Sequence, residues 1–336
     1  VQPSAKRCFS DQEYHKAGAI ISENLNSSDL ILGVKEIDTR VLINNKKYLF
    51  FSHTSKIQPD NSAAAQGTPG INKKDLLKTI LNKNITLIDY ENIRNKKGTR
   101  YLGFGRFAGI VGCYNSLVLY EDFLNNYKLP RAFKLKDYFL LKNILRDKKF
   151  SIMKILITGD GRVAKGALEL LDFTNITQVS KDDFIHSKFD QPVFCNLKTS
   201  DYVSNNSSDN FDLQHFINNP KEYFSVAEKY LEETNLLISA HYWNPLSPKI
   251  FDLKNLHKFN KLKVIGDITC DINGSIPTTL KSTSIKNPYF YFDKDTNNEM
   301  NKSNDALAIM AVDNLPSELP RDSSEEFGDG IIKEVL

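Results

Sequence analysis

Phe150-Ser-Ile-Met-Lys-Ile-Leu-Ile-Thr158, followed at once by Gly159-Asp-Gly161-Arg-Val-Ala164-Lys-Gly166-Ala-Leu-Glu-Leu-Leu171, is the passage on which the fold turns. Its first half is short, apolar and rich in β-branched residues, the pattern of a buried strand. Its second half places Val163, Ala167, Leu170 and Leu171 at helical spacing. Between them the glycines read G-x-G-x-x-A, a dinucleotide-binding fingerprint with Ala164 in the last slot. Gly159 permits the tight turn, Gly161 lets the backbone approach a pyrophosphate, and Ala164 allows close helix–strand packing. The helix start, at Arg162 and Val163, adds N–H groups and a partial positive charge. The competing reading is a structural tight turn.

The 336 residues, 40% of them hydrophobic, can build about two domains with cores. A net charge of +3 with 25% charged residues is too balanced to argue for nucleic acid or an anionic membrane. Cys8, Cys113, Cys195 and Cys270 are widely spaced, without a CxxC or a Cys/His cluster. That excludes an obvious zinc site and points to a reducing compartment, although four cysteines could pair. No apolar run approaches the roughly 20 residues of a membrane span, and no signal peptide opens the chain. The expectation is a soluble globular protein, cytoplasmic or, in a eukaryote, mitochondrial.

Outward from the glycine loop, short apolar runs alternate with helical stretches. Upstream, a helix from Asp11, strands at 30–34, 48–51 and 85–88 and a helix over 73–81 are predicted. Alternation of this kind means an α/β fold with mostly parallel sheets, whose ligands gather beyond the carboxyl ends of the strands. Lys35, Glu36, His53, Lys56, Asp89 and Glu91 all fall at such ends. The glycine-rich run 101–112 has no phosphate-loop lysine pattern and reads as close strand–helix packing at a domain crossing. Residues 116–149 read as helical with a break at Pro130. Downstream, 176–179 is the second strand of the nucleotide domain, 200–220 is loop, 222–233 is helical, and two further strands end at His241 and Asp267. The second strand ends without a clear acid. Ser180 and Lys181 would suit a 2′-phosphate, Asp182 or Asp183 a ribose, so NAD(H) against NADP(H) stays open.

Several runs are specific enough to carry a family resemblance: Ile31-Leu-Gly-Val-Lys-Glu36, Phe50-Phe-Ser-His-Thr54, Leu87-Ile-Asp-Tyr-Glu91, Phe104-Gly-Arg-Phe-Ala-Gly109, Val163-Ala-Lys-Gly-Ala167, Tyr242-Trp243, Gly274-Ser-Ile276 and Val312-Asp-Asn-Leu-Pro-Ser-Glu-Leu-Pro320. In this order they resemble the alanine dehydrogenase/transhydrogenase-like superfamily, and within it the saccharopine-forming enzymes. The resemblance implies two Rossmann-like domains with an active-site cleft between them. The expected division is 1–125 plus 315–336 for the catalytic domain and 126–314 for the dinucleotide domain. It further implies that lysine and 2-oxoglutarate condense to an imine, which takes a hydride from NAD(P)H to give saccharopine. By position, Lys35 and His53 match the acid–base pair, Glu36 and Glu91 the carboxylates that tune it, and Arg100 a substrate-carboxylate contact. Lys56 is a further cation on the substrate side. Tyr242, Asp267 and Asp313 fall on the cofactor side, with Gly159, Gly161, Arg162, Val163, Ala164 and Lys181.

The chemistry fits those residue types. Carbinolamine formation and dehydration need proton donors and acceptors near neutrality, which histidine supplies unperturbed. A lysine must be drawn down by burial or neighbouring cations to share that work, and nearby carboxylates pull the other way. Arginine offers bidentate recognition of a dicarboxylate. The bland alternatives are a solvated strand end for Lys35 and Glu36, a hydrogen-bonded loop residue for His53, and loop hydrogen bonds for Asp267; His241, at a strand end beside Tyr242-Trp243, reads as packing or cofactor contact rather than catalysis. His15, His186, His215 and His257 read as surface. Relatives of this kind open with a strand carrying an arginine, whereas this sequence begins at Val1-Gln-Pro; 62–70 reads as an insertion. The rival functions are alanine dehydrogenase-like amination of a small 2-oxo acid and a dinucleotide-binding protein without turnover.

Overall fold

The computed structural model describes residues 1–54, 71–96, 98–126, 129–205 and 211–336. Lys56 and the 62–70 stretch lie outside the described residues. The chain forms two compact units, Val1–Gly103 with Ser324–Leu336, and Phe104–Ser323.

The first unit contains α1 (Asp11–Lys16), β1 (Leu30–Leu32), β2 (Lys47–Phe50), α2 (Lys73–Asn82) and β3 (Thr86–Asp89). The strands make one parallel sheet in the order β1–β2–β3, with Leu32 beside Leu49 and Phe50 beside Asp89. Ser10 and Glu13 start α1 with a capping box, and Asn72 caps α2 by accepting from the amides of Lys74 and Asp75. Helix α2 buries Leu76 and Ile80, one turn apart. Because the three strands run the same way, the residues that follow them emerge at one edge.

The second unit opens with α3 (Gly105–Phe123) and α4 (Tyr138–Arg146), then β4 (Lys154–Thr158), α5 (Arg162–Leu171), β5 (Thr177–Gln178), α6 (Lys181–His186) and β6 (Val193–Leu197). There follow α7 (Thr199–Tyr202), β7 (Val203–Asn205), α8 (Leu213–Asn218), β8 (Tyr223–Ser225), α9 (Glu228–Leu231) and β9 (Leu236–Ser239). Strands β10 (Val264–Asp267), β11 (Tyr289–Phe292), β12 (Glu299–Met300) and β13 (Leu307–Met310) complete it, and α10 (Pro320–Glu334) returns the chain to the first unit. The main sheet runs β12–β11–β13–β10–β9–β4–β6–β5. From β13 to β5 it is parallel; β11 and β12 form an antiparallel edge.

Burial follows the period of two. Ile155 and Ile157 of β4 join one core with α3 and α5, while Leu156 joins the core on the other face. A parallel sheet covered on both sides demands apolar strands, and β4, β6, β9, β10 and β13 comply. The long helix α3 is buried almost all round, and it approaches α5 backbone to backbone. A Cβ on Gly109 would lie 1.9 Å from the Val163 carbonyl oxygen, and one on Gly166 would lie 2.0 Å from that of Arg106. The glycine-rich run 101–112 therefore does serve close packing and does contain the division at Gly103, but its closest approach is between two helices rather than a strand and a helix.

Other expectations change. The contacts divide the chain after Gly103 and Ser323 rather than at 125 and 314, because α3 and Leu315–Leu319 pack into the core of the second unit. Residues 200–220 are not all loop: β7 pairs antiparallel with β8, and α8 stands between them in sequence. The helix expected over 222–233 shrinks to α9 because Tyr223–Ser225 is strand. The α/β class with parallel sheets holds, as does the strand–loop–helix around Gly159–Ala164.

Candidate active site and dinucleotide loop

At the carboxyl edge of the three-stranded sheet, His53 follows β2 with φ of +51°, in the left-handed region that a bulky residue enters only when its surroundings hold it there. Two contacts hold it. Its Nδ1 lies 2.7 Å from Glu36 Oε1, and its ring stacks on Phe51 at 6.3 Å between centroids. The Glu36 side chain is 1% exposed, that of His53 15%. An ionised carboxylate only accepts, so Nδ1 carries the proton in this pair and Nε2 is left to exchange one.

Phe51 is the hub beneath. It meets the ring of Tyr90 at 5.1 Å and that of Phe327, in α10, at 5.9 Å. Burial pushes the Tyr90 hydroxyl up to about 12, so it stays protonated. Asp89 ties β2 to β3: it accepts from the Ser52 hydroxyl, from the Ser52 amide at 3.3 Å and from the Glu91 amide at 2.8 Å. Ser52 also meets the Thr54 hydroxyl at 2.8 Å. Glu91, buried, takes Arg100 Nη2 at 3.1 Å, and Arg100 keeps 42% of its side chain exposed. Lys35 is exposed beside buried Glu36, and among the described residues nothing engages its ammonium. Sequence reasoning passed over Ser52 and gave Asp89 no role; the serine inside Phe-Ser-His-Thr was the available signal.

The second site lies at the carboxyl end of β4. Gly159 has φ of +110°, and a Cβ there would sit 2.6 Å from the Ala240 carbonyl oxygen. Only glycine makes that turn. Gly161 is different. Its backbone is extended, and a Cβ would meet nothing within 4 Å, so open space lies above it. It N-caps α5 without any side-chain cap, and Ala164 is buried against the core. An uncapped ten-residue helix facing an open glycine fits a pyrophosphate. Arg162 is exposed at the first helical position, and Val163 is half-buried. The chain turns from β4 to β6 on one side and continues to β9 and β10 on the other, which makes this crevice the switch point of the sheet.

Across the switch point, Tyr242 follows β9 and is 80% exposed. His241 points inward instead: its Nδ1 is 2.7 Å from Thr158 Oγ1, and burial draws its pKa down to about 4. It is packing. Asp313, after β13, is exposed. Asp267 departs from expectation. It is fully buried, and its carboxylate accepts from the Thr269 amide and hydroxyl, the Cys270 amide and the Thr279 hydroxyl, the last at 2.6 Å. Its own loop consumes its carboxylate, which shapes the strand end. Burial pushes the Cys270 thiol up to about 12, so it stays protonated.

Lys181 requires the second correction. It follows β5, which is the edge strand, and pairs with Asp201 at 2.6 Å. The neighbour of β4 is β6. Asp183 is spent on capping α6 with Ser180, and Asp182 lies in the first turn of that same edge helix. His15, His186, His215 and His257 are exposed, as expected. All four cysteines are free, and among the described residues no group of His, Cys, Asp or Glu could hold a metal. None of the described helices is long and apolar enough to cross a membrane.

Residues 1–111 match the N-terminal domain family of alanine dehydrogenase/PNT. The alpha-aminoadipic semialdehyde synthase of Arabidopsis thaliana is 30% identical over 371 residues, covering 98% of this chain and 34% of that protein. This chain thus spans about a third of the length of that relative. The saccharopine dehydrogenase (NAD(+), L-lysine-forming) of Schizosaccharomyces pombe is 24% identical over 360 residues, covering 100% of this chain and 83% of that protein. Among solved structures, an L-alanine dehydrogenase superposes with a TM-score of 0.55 at 14% identity, over 97% of this chain and 76% of that one. In fold, in the glycine loop and in these relatives, the chain resembles the alanine dehydrogenase/transhydrogenase-like proteins and, among them, the saccharopine-forming enzymes.

Proposed function

We propose that this chain is an NAD(P)-dependent oxidoreductase that interconverts L-lysine plus 2-oxoglutarate with saccharopine. The observation that carries the reading is the 2.7 Å contact between His53 Nδ1 and the buried Glu36. It fixes the tautomer and leaves Nε2 to give and take the protons of carbinolamine formation and dehydration. Lys35, one residue from Glu36 at the same sheet edge, is the second proton-transfer group. Glu91 aims the exposed part of the Arg100 guanidinium, whose remaining donors suit a substrate carboxylate. In the second unit, Gly159, Gly161, Arg162, Val163 and Ala164 hold the dinucleotide, with Tyr242 and Asp313 at the neighbouring strand ends. When bound, the nicotinamide supplies or accepts the hydride.

The test is turnover. Reduced dinucleotide should be oxidised with lysine plus 2-oxoglutarate and not with ammonia plus pyruvate. Consumption with only the second pair would replace this reading with alanine dehydrogenase-like amination. Dinucleotide binding without turnover of either pair would leave a binding protein.

A further inference from the structure

We infer that Lys198, not Lys181, is the residue that selects the nucleotide, and that it selects the 2′-phosphate of NADP(H). The inference rests on the dinucleotide reading of the glycine loop. In a doubly wound sheet the adenosine ribose lies over the strand beside the glycine-loop strand, and the residue at that strand's carboxyl end reads the 2′ position. Here the chain inserts β6 between β4 and β5, so that Thr158 sits beside Leu197. The end of β6 is fastened to the loop itself. The Gly159 amide donates to the Leu197 carbonyl at 2.8 Å, and the Asn196 side-chain amide donates to the carbonyls of Gly159 at 2.9 Å and Ile157 at 3.2 Å.

Lys198 is the next residue. It is exposed, and among the described residues no acceptor engages its ammonium. A 2′-hydroxyl ribose wants a carboxylate at this place, and the nearby one is spent. Asp201 accepts from the Lys181 ammonium at Oδ1, 2.6 Å, and from the Lys198 amide at Oδ2, 2.8 Å. Lys181 is therefore a neutralised partner that holds Asp201 in place, and Lys198 is the unspent cation. A cation without a competing acceptor favours a phosphate monoester over a hydroxyl.

The experiment titrates the chain with NADPH and with NADH, following nicotinamide fluorescence, for wild type, Lys198→Ala, Lys198→Glu and Lys181→Ala. Expected is wild-type preference for NADPH, with Lys198→Ala weakening NADPH by roughly tenfold or more while NADH changes less than about twofold. Lys198→Glu should weaken NADPH further, and Lys181→Ala should move both nucleotides together. Equal effects of Lys198→Ala on the two nucleotides, no effect on either, or wild-type preference for NADH would overturn the assignment while the glycine loop remains a dinucleotide site. Selective loss of NADPH in Lys181→Ala would return the role to Lys181. Binding of neither nucleotide by the wild type would sink the dinucleotide reading and this inference with it.

Discussion

At the edge of the three-stranded sheet, Glu36, His53, Glu91 and Arg100 make a candidate site out of side chains, whereas at the end of β4, Gly159 and Gly161 make one out of their absence. The first holds two buried carboxylates, Glu36 and Glu91, each matched by a partner side chain. The second stores nothing; it offers an uncapped helix start and room for a ligand. Proton chemistry needs groups held against one another, so damage there should show in turnover. Binding a pyrophosphate needs clearance, so damage at the loop should show in affinity.

The largest effect should come from filling the clearance. Gly161→Val should abolish dinucleotide binding, by roughly 10³-fold or more, with an unchanged unfolding midpoint, since the new Cβ meets nothing in the free protein. Gly159→Val should instead destabilise the fold by about 1–3 kcal/mol, because φ of +110° and the Ala240 carbonyl both oppose a side chain. Calorimetric titration beside urea unfolding separates the two. If both variants behaved alike, the distinction between turn glycine and ligand glycine would be lost.

Next comes the proton pair. His53→Gln and Lys35→Met should each lower turnover by roughly 10²-fold or more while dinucleotide affinity barely changes. The double variant should lose less than the product, as groups acting as one unit do. Strictly multiplicative losses, with both limbs of the pH–rate profile intact, would reduce these residues to substrate binders.

His241 sharpens the contrast from the folding side. Its pKa drops from 6.5 in the unfolded chain to about 4 in the folded one, so the unfolded state binds the extra proton between those values. Its contribution to stability is therefore complete above pH 6.5 and lost as pH falls toward 4, with a slope of up to about 1.4 kcal/mol per pH unit. Urea unfolding across that window should show the slope in wild type and a smaller one in His241→Gln. An identical slope in the variant would place the titration elsewhere. The smallest change is Arg100→Ala, which should raise the Michaelis constant for the dicarboxylate about tenfold, or 1.4 kcal/mol, with turnover less affected. An unchanged Michaelis constant would remove Arg100 from the substrate.

What could be read directly from the sequence was local. The strand–turn–helix at 154–171 follows from an apolar β-branched run, two glycines and helical spacing, all within about twenty residues. The polar residues after β1, β2 and β3 were visible as strand ends, because alternation with helices already implied parallel strands. Their partners were not visible. That Glu36 meets His53, that Arg100 meets Glu91 and that Asp267 spends its carboxylate on its own loop are pairings set by packing, not by spacing.

Strand order was the other thing that only the tertiary structure decided. The first strand after α5 in sequence is β5, yet β6 took the place beside β4. The physical reason is burial. Thr177 and Gln178 are both exposed, which a strand can bear only at an edge, whereas Val193-Phe-Cys-Asn-Leu197 is apolar enough to be covered on both faces. With that exchange the residue that follows the strand beside β4 becomes Lys198 rather than Lys181, thirty-nine residues after Gly159 along the chain and one hydrogen-bonded strand away in space.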